Sequence, residues 1–482
     1  MNRRIPLLLV SAALLAGCTV GPNFERPQSP TSSDYAAPLP TSESGPVADL
    51  GQGPQLAWWR EFGSAELDSL VDRALANNHS LAASNATLER ARQQLAAVTG
   101  GRLPQADANA RAEHEEVNLA GFGFDPAAFG GAGGNPVFNL YSVGGGVSYD
   151  LDLFGGKRRA VEQAAARAES QLRQTQAAHL TIAGRVVNQV LAIAAIRTRI
   201  ATENELIAAD QKMVDLTEAR RRAGEGTLVE VLNVQSQLAQ DRTQLPQLEQ
   251  QLAEARNMLA VLLGISPADL GPTDFTLDSF TLPQDVPVTL PSELIHKRPD
   301  ILQAEADLHA ATAGVGVATA RLYPDITLGA TLTQGAPNIG DILDAGFRGF
   351  DIFAGLTAPV FHGGTLKAEQ RGAKAEAQAA AADYRQTVIE AFGQVADLLS
   401  SLGNDARSVD QQQQALSVAE RSRDLSRKSF QVGNSGILQV LDTSRQYDRA
   451  RSALVEARAR QIRNVARLYV ATAGGWTDKA RM

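Results

Sequence analysis

The chain has 482 residues, a formal charge of −8 at pH 7, and aromatic side chains at only 5% of positions. Ala, Gln, Arg and Leu fill long stretches, a composition that favours extended helices over one large aromatic core. No basic run stands out against the acidic balance, which argues against nucleic acid as the main partner, and the single cysteine, Cys18, excludes an intrachain disulfide.

Arg3 and Arg4 precede an apolar run, Ile5 to Leu15, that is too short to span a bilayer as a helix. The run ends in Leu15-Ala16-Gly17-Cys18, which resembles the lipobox of a bacterial lipoprotein signal. That resemblance implies removal of residues 1–17 and acylation of Cys18. Each buried methylene contributes ~0.8 kcal/mol, so several acyl chains hold firmly where one would not. Thr19 follows the cysteine where an Asp would indicate retention at the inner membrane, so the outer membrane is favoured. Residues 20–55, rich in Pro, Ser, Thr and Gly, read as an extended tether within an N-terminal segment 18–60.

Beyond the tether the chain follows one order twice. A helix is expected over roughly 64–101. It leads into a ribbon, 105–114, in which Ala106, Ala108, Ala110 and Ala112 alternate with Gln105, Asp107, Asn109, Arg111 and Glu113. A Gly-rich loop at about 118–138 separates it from a second ribbon, where Val147, Tyr149, Leu151 and Leu153 alternate with Ser148, Asp150 and Asp152. A proline-free helix over roughly 157–222, a glycine turn and a further helix follow, the last expected to kink at Pro246. After a linker, 271–290, the order returns: a helix over 291–321, a ribbon over 325–333 and another over 350–360. A proline-free helix over roughly 364–431, a glycine turn, a last helix and a tail, 475–482, complete the chain. The stretch AGEGTLVEVLNVQSQL (223–238) echoes VGNSGILQVLDTSRQY (432–447) at an offset of 209 residues. The chain is therefore read as an internal duplication, with repeats at 61–270 and 291–474.

The ribbons carry an apolar face and a polar face. About ten residues at ~3.3 Å each, tilted, span roughly the hydrocarbon thickness of a bilayer, and the polar face suits a water-filled lumen. Four strands cannot close, and an open edge in lipid leaves backbone groups unpaired at several kcal/mol each. The barrel must then be shared: two chains give eight strands and a filled interior, three give twelve and a channel. Each proline-free helix would be roughly 100 Å long at 1.5 Å per residue, and the two shorter helices of each half can stack end to end beside it. The expected fold is mainly α with membrane β: a duplicated α-helical coiled-coil barrel, plus four strands per chain that complete a twelve-stranded β-barrel as a trimer.

Four motifs carry a family resemblance: WWREFGSAELDSLVDRALANNHSL (58–81), YDLDLFGGKRRA (149–160), KRPDILQAEADLHAATAGVGVATARLYPDITL (297–328) and PVFHGGTLKAE (359–369). They resemble TolC-like outer-membrane factors of tripartite efflux systems, of the lipoprotein (NodT-type) branch. The resemblance implies a homotrimer in outer-membrane lipid with a long periplasmic extension, joined by a periplasmic adaptor protein to an inner-membrane efflux pump of the RND type. It implies no cofactor beyond the lipid on Cys18. In the family the periplasmic helix-turn-helix tips close the tunnel and meet the adaptor. Here the tips carry Gly224, Gly226 and Thr227 in the first half and Gly433, Ser435 and Gly436 in the second, and the four glycines are expected to allow tight turns at positive φ. Asp442 matches a position of the family's acidic ring, while the other position is Gln439 here; Glu230 and Asn233 are their counterparts in the first half. Phe430 stands where the family often has a gating Tyr, so a hydroxyl latch is lost.

Catalytic signals are weak. His79, His114, His179, His296, His309 and His362 lack metal-ligand spacing, and no nucleophilic triad or phosphate loop stands out. Two other functions use comparable parts: a channel for type I protein secretion, and a structural periplasm-spanning lipoprotein. The four alternating ribbons argue against the latter.

Overall fold

The computed structural model describes residues 19–28, 34, 35, 45–118, 121, 123 and 137–472. The signal segment, Cys18, most of the first Gly-rich loop and the tail 475–482 lie outside the described residues. In chain order the elements are β1 (Val47–Leu50), α1 (Ala65–Asn77), α2 (His79–Gly100), β2 (Gln105–Glu116), β3 (Val137–Asp150), α3 (Gly156–Arg222), α4 (Leu228–Arg242) and α5 (Gln244–Leu262). Then come β4 (Asp285–Val288), α6 (Pro291–Lys297), α7 (Pro299–Ala320), β5 (Asp325–Ala336), β6 (Arg348–Thr357), α8 (Thr365–Gln431) and α9 (Ile437–Ala471). The compact units do not coincide with the sequence repeats. One unit holds 1–26, 89–169 and 306–382; the other holds 27–88, 170–305 and 383–482, so each draws on both repeats.

The first unit contains a four-stranded antiparallel sheet in the order β2-β3-β5-β6. The register keeps the expected alternation across every strand. Ala108 pairs with Gly145, Val147 with Ala330, Tyr149 with Leu328, Ala330 with Ile352, and Leu332 with Phe350, which gathers the apolar residues on one face. Asp107, Asn109, Ser148, Thr327, Thr331 and Asp351 share the other face. Gly329 lies on that polar face, where an added Cβ would come within 2.4 Å of the Phe353 ring, so the absent side chain makes room for the aromatic. The outer edges of β2 and β6 have no strand beside them among the described residues.

The stretch after β3 departs from its expected alternation. The strand stops at Asp150, whose carboxylate pairs with Lys157 Nζ at 2.6 Å and accepts from Thr327 Oγ1 at 2.8 Å. Asp152 takes φ 47° and turns its carboxylate to the start of α3, accepting from Lys157 N at 2.7 Å and Arg158 N at 2.9 Å. It satisfies orphan donors of a 67-residue helix rather than lining a polar face. The β6 ribbon likewise ends at Thr357, short of the expected 360, because Pro359 has no N–H to give a ladder and restricts the residue before it.

The second unit is built on a core in which Trp58 stacks on Tyr469 at 5.5 Å between ring centroids and Phe62 meets Tyr469 edge-on at 6.3 Å. Val186, Val190 and Leu191 of α3, Leu259 of α5, Val395 of α8 and Val465 of α9 pack into the same cluster. Three helices expected as continuous are divided here, each for a local reason. Asn78 separates α1 from α2: its Oδ1 caps Ser80 N and Leu81 N, and its Nδ2 donates to Leu262 O at the end of α5. Pro299 separates α6 from α7, and Arg298 beside it donates to Ala471 O and Gln394 Oε1. The expected kink at Pro246 is instead a helix start. The chain breaks at Thr243, and Pro246 falls in the first turn of α5, where its missing N–H removes no helical bond.

The tether and the linker are also more structured than expected. Val47–Leu50 pairs in parallel with Asp285–Val288, because Val286 and Val288 are fully buried in the Trp58 cluster and draw β1 in beside them. Residues 19–24 dock on helices of the first unit. Since Phe62 is fully buried, Phe62→Ala should cost about 3–5 kcal/mol, checked by urea unfolding in detergent followed through tryptophan fluorescence.

Candidate gate at the helix tips

The two turns that close the helical hairpins are built alike. In the first, Ala223 N donates to Ala219 O, Gly224 N to Arg221 O and Glu225 N to Arg220 O. In the second, Val432 N, Gly433 N and Asn434 N donate to Lys428 O, Phe430 O and Ser429 O. Such bonds satisfy the last carbonyls of a helix when the next residue adopts a left-handed backbone. Gly224 and Gly433 adopt it, at φ 80° and 78°. A Cβ at either would meet nothing within 4 Å, so these glycines serve their dihedral angle and not close approach. The other two tip glycines correct the expectation of positive φ. Gly436 is the extended N-cap of α9 at φ −84°, and Gly226 is not left-handed.

The helices that leave the turns start differently. Thr227 caps α4 in a reciprocal box: Glu230 N donates to Thr227 Oγ1 at 3.2 Å and Thr227 N to Glu230 Oε2 at 2.8 Å. Gly436 offers α9 no side-chain cap, and Gln439 at the place of Glu230 makes no such box. Ser435 Oγ reaches Ser426 O only at 3.5 Å. Glu230 is thus engaged in holding a helix end, while Asp442 is exposed and accepts from Gln446 Nε2 at 2.8 Å. Asn233 is half-buried and Gln439 exposed.

Phe430 is buried, 3% exposed, with Val214, Val234, Leu238, Ile437, Val440 and Leu441. The guanidinium of Arg220 lies 4.5 Å from its ring centroid, and Arg220 Nη1 donates to Phe430 O at 3.1 Å. A cation–π contact and a backbone bond therefore join the ends of α3 and α8 where a hydroxyl latch is absent. Outside this small core, Val229 and Leu438, matching positions of the two tips, are 66% and 67% exposed. An apolar surface of this kind at a helix end fits contact with another protein.

Below the tips lies a group that sequence reading missed. Asp210 of α3 and Asp241 of α4 are 4% and 9% exposed and hydrogen-bond each other. Gln237 Nε2 donates to both oxygens of Asp241, at 2.8 and 3.1 Å, and Gln237 Oε1 accepts from Arg445 Nε of α9 at 2.7 Å. Glu203 of α3 and Asp448 of α9 add carboxyls, and Arg423 and Arg427 of α8 face Asp448 with opposite charge. Burial, then the neighbouring carboxylates, raises the pKa of Asp210, and burial followed by Asp241 and Glu203 pushes Asp448 up to about 7. A signal existed: Glu203, Ile207, Asp210, Val214 and Thr217 follow an alternating four-three spacing, which puts acids on a helix seam.

Comparison with known proteins agrees with this architecture. The outer membrane efflux protein family matches residues 70–265 and 290–474. The pyoverdine export outer membrane protein OpmQ of Pseudomonas aeruginosa is 35% identical over 480 residues, covering 98% of this chain and 97% of that protein. The solved outer-membrane channel OprN superposes with a TM-score of 0.84 at 28% identity, covering 95% of this chain and all of that one (100%). The open state of the Neisseria gonorrhoeae MtrE outer membrane channel gives 0.81 at 26% identity, covering 96% of this chain and 100% of that one. Strand pairing, duplicated hairpins and sequence kinship along nearly the whole length converge on one conclusion: the chain belongs to the outer membrane efflux protein family.

Proposed function

We propose that this protein is the outer-membrane duct of a tripartite efflux system of the RND type, passing small molecules from the periplasm to the outside. The observation that carries this reading is the sheet β2-β3-β5-β6, apolar on one face, polar on the other and open at both edges. Such a sheet becomes stable in lipid when three copies close a twelve-stranded barrel around water. The protein performs no catalysis in this reading and needs no cofactor beyond the lipid on Cys18, which anchors it in the outer membrane. The hairpin tips, with Gly224, Gly226, Thr227, Gly433, Ser435 and Gly436, form the adaptor contact, supported by the exposed Val229 and Leu438.

The gate in this reading lies at the same tips. The exposed Asp442 gives the trimer a carboxylate ring that favours cations. Phe430 contributes by packing, held by Arg220, while Glu230, Asn233 and Gln439 shape the entrance. Single-channel recording on the reconstituted protein tests the duct itself: a stable aqueous conductance is expected, and its absence would refute the reading. Asp442→Ala should reduce cation preference and alter conductance; unchanged selectivity would remove Asp442 from the gate.

The buried acids make the helix packing near the tips depend on pH. The folded state holds protons that the unfolded chain releases near about pH 4, while Asp448 in the fold titrates at about 7. Packing here is therefore strongest below about pH 4 and weakens as pH rises through about pH 7. The thermal midpoint of the helical signal should fall by several degrees between about pH 5 and about pH 8, and Asp210→Asn should flatten that dependence, as read by circular dichroism in detergent.

A further inference from the structure

The segment that follows Cys18 occupies a built receptor on the strand-bearing unit. Arg159, in the first turn of α3, is 4% exposed. Its Nη1 pairs with Glu162 Oε2 at 2.7 Å. Its remaining bonds go to the N-terminal segment: Nε to Val20 O at 3.3 Å, Nη2 to Gly21 O at 3.4 Å, and Nη2 to Asn23 Oδ1 at 2.7 Å. Val20 N donates to Phe154 O at 3.1 Å in the turn between β3 and α3. Phe24 stacks on His309 of α7 with centroids 4.3 Å apart, and His309 Nε2 lies 3.0 Å from Glu162 Oε1.

The backbones are fitted as closely as the side chains. Gly21 takes φ 89°, and a Cβ on it would stand 2.5 Å from Gly316 Cα. A Cβ on Gly316 would come within 2.7 Å of Arg159 Cγ, and one on Gly155 within 2.8 Å of Thr19 Cγ2. Two glycines on the folded side and one on the segment thus clear a seat for residues 19–24. A buried guanidinium whose donors point at backbone carbonyls is costly to leave empty, because its hydrogen bonds would then be unmade in a dry site.

We propose that Arg159 is a positioning residue that clamps the segment next to the acylated Cys18, so that the lipid anchor and the barrel-forming sheet are delivered to the membrane as one rigid piece. This inference rests on the acylation of Cys18 given above. Thr19 already packs on Gly155, so the spacer between lipid and folded protein has no free length. With the clamp released, the residues after Cys18 become a loose spacer between the lipid and the sheet. Such a spacer lowers the effective concentration of the sheet at the bilayer, which falls roughly as the −3/2 power of linker length.

The test uses the full chain, with Arg159→Leu on the receptor side and Gly21→Val on the segment side. Gly21→Val leaves every helix residue intact, so it separates release of the segment from damage to α3. Hydrogen exchange on the purified protein should show residues 19–24 protected in the wild type and exchanging freely in both variants. Pulse-chase in cells should show membrane-inserted oligomer forming roughly fivefold more slowly in both. In a Cys18→Ser chain exported by a non-lipoprotein signal, neither substitution should slow assembly further. Persistent protection in both variants would overturn the clamp. Free exchange with unchanged assembly would overturn its coupling to insertion, as would equal slowing in the Cys18→Ser chain. Mass spectrometry of the mature N-terminus reads acylation separately: absence of fatty acid would overturn the anchor reading and the coupling together, whatever the exchange result.

Discussion

The backbone of an exposed sheet edge cannot remain unpaired in hydrocarbon, and this constraint organises the protein. The sheet β2-β3-β5-β6 has satisfied ladders inside and open edges at β2 and β6. In lipid each unpaired peptide group costs several kcal/mol, and water is not there to compensate. Neighbouring protomers supply the missing partners, and twelve strands leave a lumen that eight would fill. The register then decides which face meets which solvent. Pairings such as Ala330 with Ile352 and Leu332 with Phe350 place the apolar side chains together toward lipid. The polar side, with Asp107, Thr327 and Asp351, remains for water.

The helical hairpins answer a different constraint, which is how to reverse the chain between long helices. Both turns use the same wrap-back bonds and the same left-handed glycine, at Gly224 and Gly433, as an internal duplication requires. The duplication has since diverged where the next helix begins: Thr227 and Glu230 form a full capping box, whereas Gly436 and Gln439 do not. The less tightly capped second hairpin also carries the exposed Asp442 and the buried Phe430, which Arg220 holds from the first. The acids at Asp210, Asp241 and Asp448 add a polar layer to an otherwise apolar seam. Buried polar layers of this kind fix helix register at some expense in stability.

Much of this was legible in the residues. The alternating alanines of 105–114 and the branched aliphatics of 325–333 marked strands because a period of two has no other simple reading. The proline-free runs marked the 67-residue helices within a residue or two of their ends. What escaped depended on tertiary partners. Asn78 breaks a helix because its amide also caps α5, a contact invisible from sequence neighbours. Asp152 belongs to an alternating pattern yet caps α3, since the strand stops two residues earlier. β1 and β4 are four-residue strands that exist only because they meet. At the hairpin turns, positive φ was expected of four glycines and only Gly224 and Gly433 adopt it, because local sequence does not distinguish a left-handed turn residue from an extended one. The acid layer was accessible to heptad reading and was overlooked because single aspartates on a helix usually face solvent.

Closure of the sheet between protomers is the claim on which channel, gate and partners depend. Native mass spectrometry of the protein extracted in mild detergent, with the strands shown to be lipid-protected, tests it most directly. The expected result is a stable complex of three chains. A strictly monomeric protein whose strands remain protected in water, without lipid or detergent, would contradict the account.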